Sequence, residues 1–124
     1  MITEKIKQQA QQNFKSYLQD GLLKKEYNDV AKAMYVKNAY MSLAFATDSL
    51  TNKHKPYLWI IVISYYSMFY MANAVLLHLG YKTGSKIVHK ITSDALIVLV
   101  KNKLQQGLLK NYELSRNDAL EIAS

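Results

Sequence analysis

Apolar residues recur at every fourth position in the first segment of the chain, with lysine and glutamine between them. This spacing places one apolar stripe on a helix surface and predicts an amphipathic helix over residues 2–18. Asp20 and Gly21 are expected to end it, because glycine readily adopts the left-handed conformation found at helix ends. The stripe consists of Ile2, Ile6, Ala10, Phe14 and Leu18.

A second amphipathic pattern predicts a helix from near Glu26 to residues 48–52, about six turns long. Its several alanines allow a neighbouring helix to approach closely. A charged turn follows, in which we expect His54 to be a solvated loop residue. Beyond this turn, the chain from Tyr57 to Tyr81 contains no lysine, arginine, aspartate or glutamate.

The uncharged segment lies either in lipid or inside its own protein, since a helix of this length is able to span a bilayer. Ser64, Tyr66 and Asn73 place polar atoms near its midpoint, where lipid would leave them without partners. Pro56 suits a first helical turn, and Gly80 suits the residue just past a helix end. We therefore predict the central helix of a soluble bundle and no membrane association.

The remaining chain is predicted to form a loop over residues 82–85, with Ser85 capping a fourth helix from Lys86 to Leu104. The apolar run 95–100 fits a buried strand by periodicity alone, but no partner strand is evident, so we predict a helix. Gly107 is expected to break the pattern, and Ser115 to cap a short fifth helix.

These elements predict a single all-α domain over residues 1–124, an up-and-down four-helix bundle with a short fifth C-terminal helix. The second and third helices form its long antiparallel pair. Because so short a last helix is marginal by itself, we expect further chain or another subunit to complete the fold.

Charge changes this picture little. The net charge of +7 comes almost wholly from lysine, because Arg116 is the only arginine. Excess lysine fits loose attraction to nucleic acid or to an acidic partner, and it fits plain solubility equally well. The chain has no cysteine, its three histidines have no metal-binding spacing, and its N-terminus does not resemble a signal peptide. We predict a cytoplasmic protein without a metal or cofactor.

The third helix and its flanks carry a family resemblance. The paired Tyr65 and Tyr66, the following Met-Phe, Leu-Leu before Gly80, and His89 with Lys90 in the next helix form a pattern that resembles the HEPN domain. The resemblance implies a helical bundle that often forms homodimers and often pairs with a minimal nucleotidyltransferase, as in toxin-antitoxin systems.

Catalytic members of that superfamily cut RNA with an arginine followed by a histidine a few residues downstream. No histidine follows Arg116. The prediction is therefore a non-catalytic HEPN-like module that binds a partner, with no catalytic residues. The alternative is a nucleotide- or RNA-binding module that uses lysines and tyrosines near the third and fourth helices.

Two groups of residues are candidates for that alternative. Tyr66 and Asn73 share a helix face on which a base could stack and be hydrogen-bonded, or they are core residues bridging helices. A helix start with two ammonium groups is a plausible phosphate site, although histidine there is commonly structural. Its residues are Lys86, His89 and Lys90, with Lys82 nearby, while His78 is expected to be structural at a helix end.

Overall fold

The computed structural model describes residues 2–54, 56–100 and 106–123, with residues 106–110 and 123 described in backbone only. Five helices and two short strands make up this part of the chain, which confirms the all-α bundle. In chain order the elements are α1 (Glu4–Gln19), β1 (Leu23–Lys25), α2 (Asp29–Leu50), α3 (Tyr57–His78), β2 (Tyr81–Thr83), α4 (Val88–Val100) and α5 (Gln106–Ala123).

Helix α3 is the centre of the bundle. It packs extensively against α2, and it also contacts α4, α5 and β2. The Ser67 hydroxyl donates to the Ala39 carbonyl at 2.7 Å, which holds the α2–α3 pair at close range. By length and composition α3 is also able to cross a membrane, and half of its most apolar stretch is buried by neighbouring helices.

The ends of the first three helices follow from local chemistry. Thr3 caps α1 by accepting from the Ile6 amide at 3.2 Å, and Asn28 caps α2 by accepting from the Ala31 amide at 2.9 Å. Gly21 and Gly80 adopt φ values of 72° and 93° just after α1 and α3. The predicted ends at both glycines are therefore confirmed. Helix α2 begins at Asp29, slightly later than predicted, because Asn28 supplies the cap.

A two-stranded antiparallel sheet joins the chain after α1 to the chain after α3. Leu23 pairs with Thr83, and Lys25 pairs with Tyr81. The prediction of a loop over residues 82–85 was wrong for residues 82 and 83, which belong to β2. Their backbone groups pair with β1, which is far away in sequence. Leu23 is almost fully buried, so this small sheet also closes one end of the core.

The last two helices begin at different residues from those predicted. Helix α4 starts at Val88, so Lys86 lies outside it and Ser85 is not its cap. Helix α5 starts at Gln106, and it includes both Gly107 and Ser115. The predicted break and cap were therefore wrong: one glycine lowers helix propensity by only about 1 kcal/mol, which packing against α3 and α4 overrides. The predicted end of α4 at Leu104 lies outside the described residues.

The core lies between α1, α3, α4 and α5. It is built on the α3 face that carries Tyr65, Phe69 and Leu76. The buried side of α4 meets this face, which explains why the run 95–100 is so apolar without being a strand. Helix α2 stands outside this core and contributes only Ala39 and Ala46 to the buried residues.

Candidate functional site

A cavity of about 630 Å³ opens between α1, α4 and α5. Its volume is in the range that small-molecule sites usually have. Its lining combines isoleucines and a leucine with charged and polar side chains. The apolar lining residues are Ile2, Ile6, Ile87, Ile97 and Leu120, and the polar ones are His89, Lys90, Ser93, Asp94, Glu113, Arg116 and Asn117.

His89 stands at the start of α4 with its ring among the aromatic side chains of α3. Its Nδ1 atom lies 2.7 Å from the Tyr65 hydroxyl, and its ring centroid lies 4.6 Å from that of Phe69. Burial lowers the pKa of His89 below its ordinary value, and the positive charge of Arg116 lowers it further. The imidazole is therefore neutral at pH 7 and is able to exchange a hydrogen bond or a proton with a ligand.

Arg116 is fixed against the cavity wall by three neighbours. Its Nη1 donates to the Ser93 hydroxyl at 3.0 Å, and its Nη2 lies 3.1 Å from a Glu113 carboxylate oxygen. Nη2 also donates to the Asn117 side chain at 3.1 Å. The bond to Ser93 links α5 to α4, so the guanidinium keeps a defined position beside the cavity.

His89 and Arg116 thus line one cavity although they come from different helices. The sequence prediction considered only a histidine downstream of the arginine, whereas here the histidine precedes it. Sequence order therefore gives no ground for excluding an imidazole and guanidinium acting together. The available signal was the presence of a single arginine in a lysine-rich chain. Such a pair is able to hold phosphate oxygens by charge-assisted hydrogen bonds.

Lys90 belongs to a polar network between α1 and α4. Its Nζ lies 3.1 Å from the Tyr17 hydroxyl and 3.9 Å from an Asp94 carboxylate oxygen. The Tyr17 hydroxyl donates to the same carboxylate at 2.6 Å, and Asn13 donates to it at 3.2 Å. Burial, and then the bond to Asp94, raise the pKa of Tyr17 above its usual value.

The charges on the cavity wall nearly balance. Lys90 and Arg116 carry positive charge, and Asp94 and Glu113 carry negative charge. Each cation also has a carboxylate within ion-pair distance. Such a wall does not attract a polyanion by its field alone. It suits a small ligand with an apolar or aromatic body and one anionic group.

Two buried tyrosines lie behind His89. Burial raises the pKa of Tyr65 to about 12, so its phenol is protonated at pH 7 and is able to donate to Nδ1 of His89. The ring of Tyr112 lies 5.9 Å from that of Tyr65, and burial followed by the neighbouring Tyr65 raises the pKa of Tyr112. The Tyr65 phenol thus holds the imidazole in place from the core side, and Tyr112 packs against Tyr65.

The structure brings only some of the predicted site residues together. His89 and Lys90 line the cavity, and the ring of Tyr66 packs against His89 at 5.7 Å. Lys86 is exposed on the segment before α4. Lys82 is in β2, where its Nζ lies 3.4 Å from a Glu26 carboxylate oxygen. These two lysines do not line the cavity.

Asn73 is a structural residue in this fold. Its side chain is 2% exposed and lies between α3, α4 and β2. Its amide nitrogen donates to the Phe69 carbonyl at 3.0 Å and to the Thr92 hydroxyl at 3.3 Å. Its amide oxygen accepts from the Thr83 hydroxyl at 2.9 Å. These bonds and the burial favour the interpretation of Asn73 as a core residue that bridges elements, and the base-reading alternative stays a prediction.

Comparisons with known proteins add no assignment. No protein-family model matches the chain, and neither the curated proteins nor the solved structures include a significant match. Among the described residues, no group of three histidine, cysteine, aspartate or glutamate side chains is placed to hold a metal ion. The resemblance to HEPN domains therefore stays a prediction.

Proposed function

We propose that the protein is a helical binding module whose cavity between α1, α4 and α5 holds a small phosphate-bearing ligand of the nucleotide class. The observation that carries the proposal is that His89 and Arg116 both line this cavity, together with several apolar side chains. The guanidinium binds a phosphate oxygen, and the neutral imidazole adds a hydrogen bond without adding charge.

The apolar residues of the lining support a nucleotide over a bare phosphate. Ile6, Ile87 and Ile97 offer surface to a base or sugar, whereas free phosphate would leave that surface uncovered. The near balance of charge on the wall makes binding depend on a specific contact rather than on the net charge of the chain. We therefore expect the affinity to depend less on salt than that of a lysine-rich nucleic-acid surface does.

Binding of AMP, measured by isothermal titration calorimetry, tests the proposal. Arg116→Gln is expected to weaken AMP binding about tenfold or more, because a hydrogen bond to a charged group contributes about 1.5–3 kcal/mol. Adenosine, which lacks the phosphate, should bind wild type with a similar loss. Lys82→Gln is the matched control, since it removes a positive charge from β2 and should leave AMP binding unchanged.

Two results would contradict the proposal. Equal losses for Lys82→Gln and Arg116→Gln would mean that the lysine-rich surface attracts the nucleotide diffusely. If wild type is folded, as measured by circular dichroism, and does not bind AMP, the proposed nucleotide ligand is excluded. Incubation with single-stranded RNA tests for catalysis. The proposal expects binding without cleavage. Cleavage by wild type that is lost in both His89→Ala and Arg116→Ala would make the protein a ribonuclease.

The second candidate function is association with a protein partner, which the resemblance to HEPN domains implies. It is supported by the apolar residues that α2 leaves exposed on both sides of its contact with α3. The nucleotidyltransferase partner and the toxin-antitoxin setting remain predictions from the resemblance, as does the cytoplasmic location.

A further inference from the structure

Asp94 is the acidic residue that α4 contributes to the cavity lining. One of its carboxylate oxygens, Oδ2, takes all the hydrogen bonds that the side chain makes with described residues. The Tyr17 hydroxyl donates to Oδ2 at 2.6 Å, and the Asn13 amide nitrogen donates to it at 3.2 Å. Nζ of Lys90 lies 3.9 Å from the same oxygen. Because Asn13 and Tyr17 belong to α1, Oδ2 joins α4 to α1.

The second carboxylate oxygen of Asp94, Oδ1, receives no hydrogen bond from the described residues. An ionised carboxylate accepts through both of its oxygens. Among the described residues, the buried side-chain atoms without a hydrogen-bond partner do not include Oδ1, so this oxygen is accessible. The Asp94 side chain is 15% exposed and lines the cavity. Oδ1 is therefore an acceptor that is open to a ligand.

The bonds to Oδ2 also fix the orientation of the carboxylate. Gln9 donates to the Asn13 side-chain oxygen at 2.9 Å, which leaves the Asn13 amide nitrogen to donate to Asp94. Lys90 donates to the Tyr17 hydroxyl at 3.1 Å and so holds the second donor in place. An acceptor that is already fixed loses little conformational freedom when a ligand binds. Oδ1 is thus prepared for a hydrogen-bond donor at a defined position.

The charge of Asp94 determines which part of a nucleotide it can bind. A carboxylate repels a phosphate, so the phosphate lies at the guanidinium and a neutral donor lies at Oδ1. Ser93, the neighbour of Asp94 in α4, accepts from Nη1 of Arg116 at 3.0 Å. Successive helix residues project about 100° apart, so the guanidinium and Asp94 contact adjacent parts of one ligand. The sugar is the part of a nucleotide that adjoins the phosphate, and its hydroxyls are donors.

Glu113 is the other carboxylate of the lining, and its surroundings differ from those of Asp94. One of its oxygens lies 3.1 Å from Nη2 of Arg116. Its charge is therefore paired with the group that we propose for the phosphate. Asp94 is instead held by residues of α1, away from that pair. The sugar hydroxyls are therefore expected at Asp94.

We infer that Oδ1 of Asp94 accepts a hydrogen bond from a ribose hydroxyl, so that the cavity selects ribonucleotides over nucleotides without sugar hydroxyls. This inference rests on the proposed function and specifies its ligand. Carboxylates bind ribose hydroxyls in the same way in dinucleotide-binding proteins. A carboxylate that only joined α4 to α1 would affect the affinity for both classes of nucleotide equally, so the ratio of the two affinities distinguishes the roles.

Isothermal titration calorimetry with AMP and with dideoxy-AMP, which lacks both ribose hydroxyls, tests the inference. Wild type is expected to bind AMP about tenfold or more tightly, because hydrogen bonds to charged groups are the stronger ones. Asp94→Asn should bring this ratio close to one, since its NH2 group cannot accept from a hydroxyl. Glu113→Gln is the matched control: it alters the other lining carboxylate in the same way and should keep the preference for AMP, whatever its effect on affinity.

A second measurement needs no substitution. The carboxyl carbon resonance of Asp94, followed by NMR in wild type, should shift when AMP is added and much less when dideoxy-AMP is added. Equal shifts at saturation with each ligand would overturn the inference even if Asp94→Asn failed to fold. A preference for AMP that persists in folded Asp94→Asn would also overturn it, because the hydroxyl contact would then lie elsewhere.

The outcomes separate this inference from the function on which it rests. If wild type binds AMP and dideoxy-AMP equally and Arg116→Gln weakens both, the cavity holds a nucleotide but does not recognise its sugar, so only the inference fails. If folded wild type binds neither ligand, the inference and the proposed function fail together.

Discussion

Replacing Asn73 with alanine distinguishes a structural side chain from one that reads a ligand. In this fold Asn73 joins three elements, because it bonds to Thr92 of α4 and to Thr83 of β2 from within α3. The third bond goes to the Phe69 carbonyl one turn back in the same helix and adds little between elements. The alanine variant loses both cross-element bonds.

The magnitude follows from burial. Each lost bond costs about 1 kcal/mol, and each threonine hydroxyl left without its partner adds to that, because Thr83 and Thr92 are buried. We expect the free energy of unfolding to fall by about 2–4 kcal/mol. For a domain of this length, 1 kcal/mol shifts Tm by about 4 °C, so the loss is about 8–16 °C. Urea denaturation and thermal melts followed by circular dichroism measure both quantities.

Asn111→Ala serves as the control, because Asn111 is exposed on α5. There the change removes no buried bond and slightly improves helix propensity, so stability should be unchanged or a little higher. A double-mutant cycle with Thr83→Ala should give a coupling energy of at least about 0.5 kcal/mol. Our reasoning would be refuted if Asn73→Ala left stability within 0.5 kcal/mol of wild type, roughly the size of an exposed substitution, and instead weakened AMP binding.

Two further predictions concern the wall of the cavity. The pKa of His89 is lowered in the folded state, so the neutral imidazole stabilises the fold above about pH 6.5, and this contribution should be lost as the pH falls through the folded-state pKa. Imidazole resonances followed by NMR from pH 8 to pH 4, a span of about two units around the ordinary value, measure that pKa, and Arg116→Gln should raise it by removing a positive charge. A pKa of His89 above the ordinary value would contradict the burial seen here. Ile87 adopts a φ of 44°, which a β-branched residue tolerates poorly, so Ile87→Asn should stabilise the protein by about 1 kcal/mol in urea denaturation. Ile6→Asn, in regular helix on the same cavity, should destabilise it, and a loss in both variants would show that Ile87 is not strained.

The elements that local chemistry determines were predictable from the sequence. The absence of charge from Tyr57 to Tyr81 predicted one long helix, and Gly80 marks its end by a φ that other residues avoid. The helix over Val88–Val100 was predictable because its apolar run had no strand partner of similar length. These features depend on residues within a few turns of one another.

The two-stranded sheet and the cavity depend on contacts between distant segments. Strands of three residues are too short for alternation to be recognised, and the pairing of Leu23 with Thr83 joins the distant segments that follow α1 and α3. The same holds for His89 and Arg116, whose meeting is set by how α4 and α5 cross. Asn73 was assigned to a helix face correctly, but its burial depends on β2, which the sequence did not reveal.

The predicted basic residues differ in where they lie relative to the cavity. Lysines are spread over the whole chain, so two of the predicted phosphate ligands, Lys82 and Lys86, lie away from the cavity simply because lysine is common. Arg116 occurs once and is held by Ser93, Glu113 and Asn117. A guanidinium offers planar, bidentate donors, whereas an ammonium group is a hydrated point charge. The proposed ligand therefore depends on the position of this one arginine more than on the net charge of the chain.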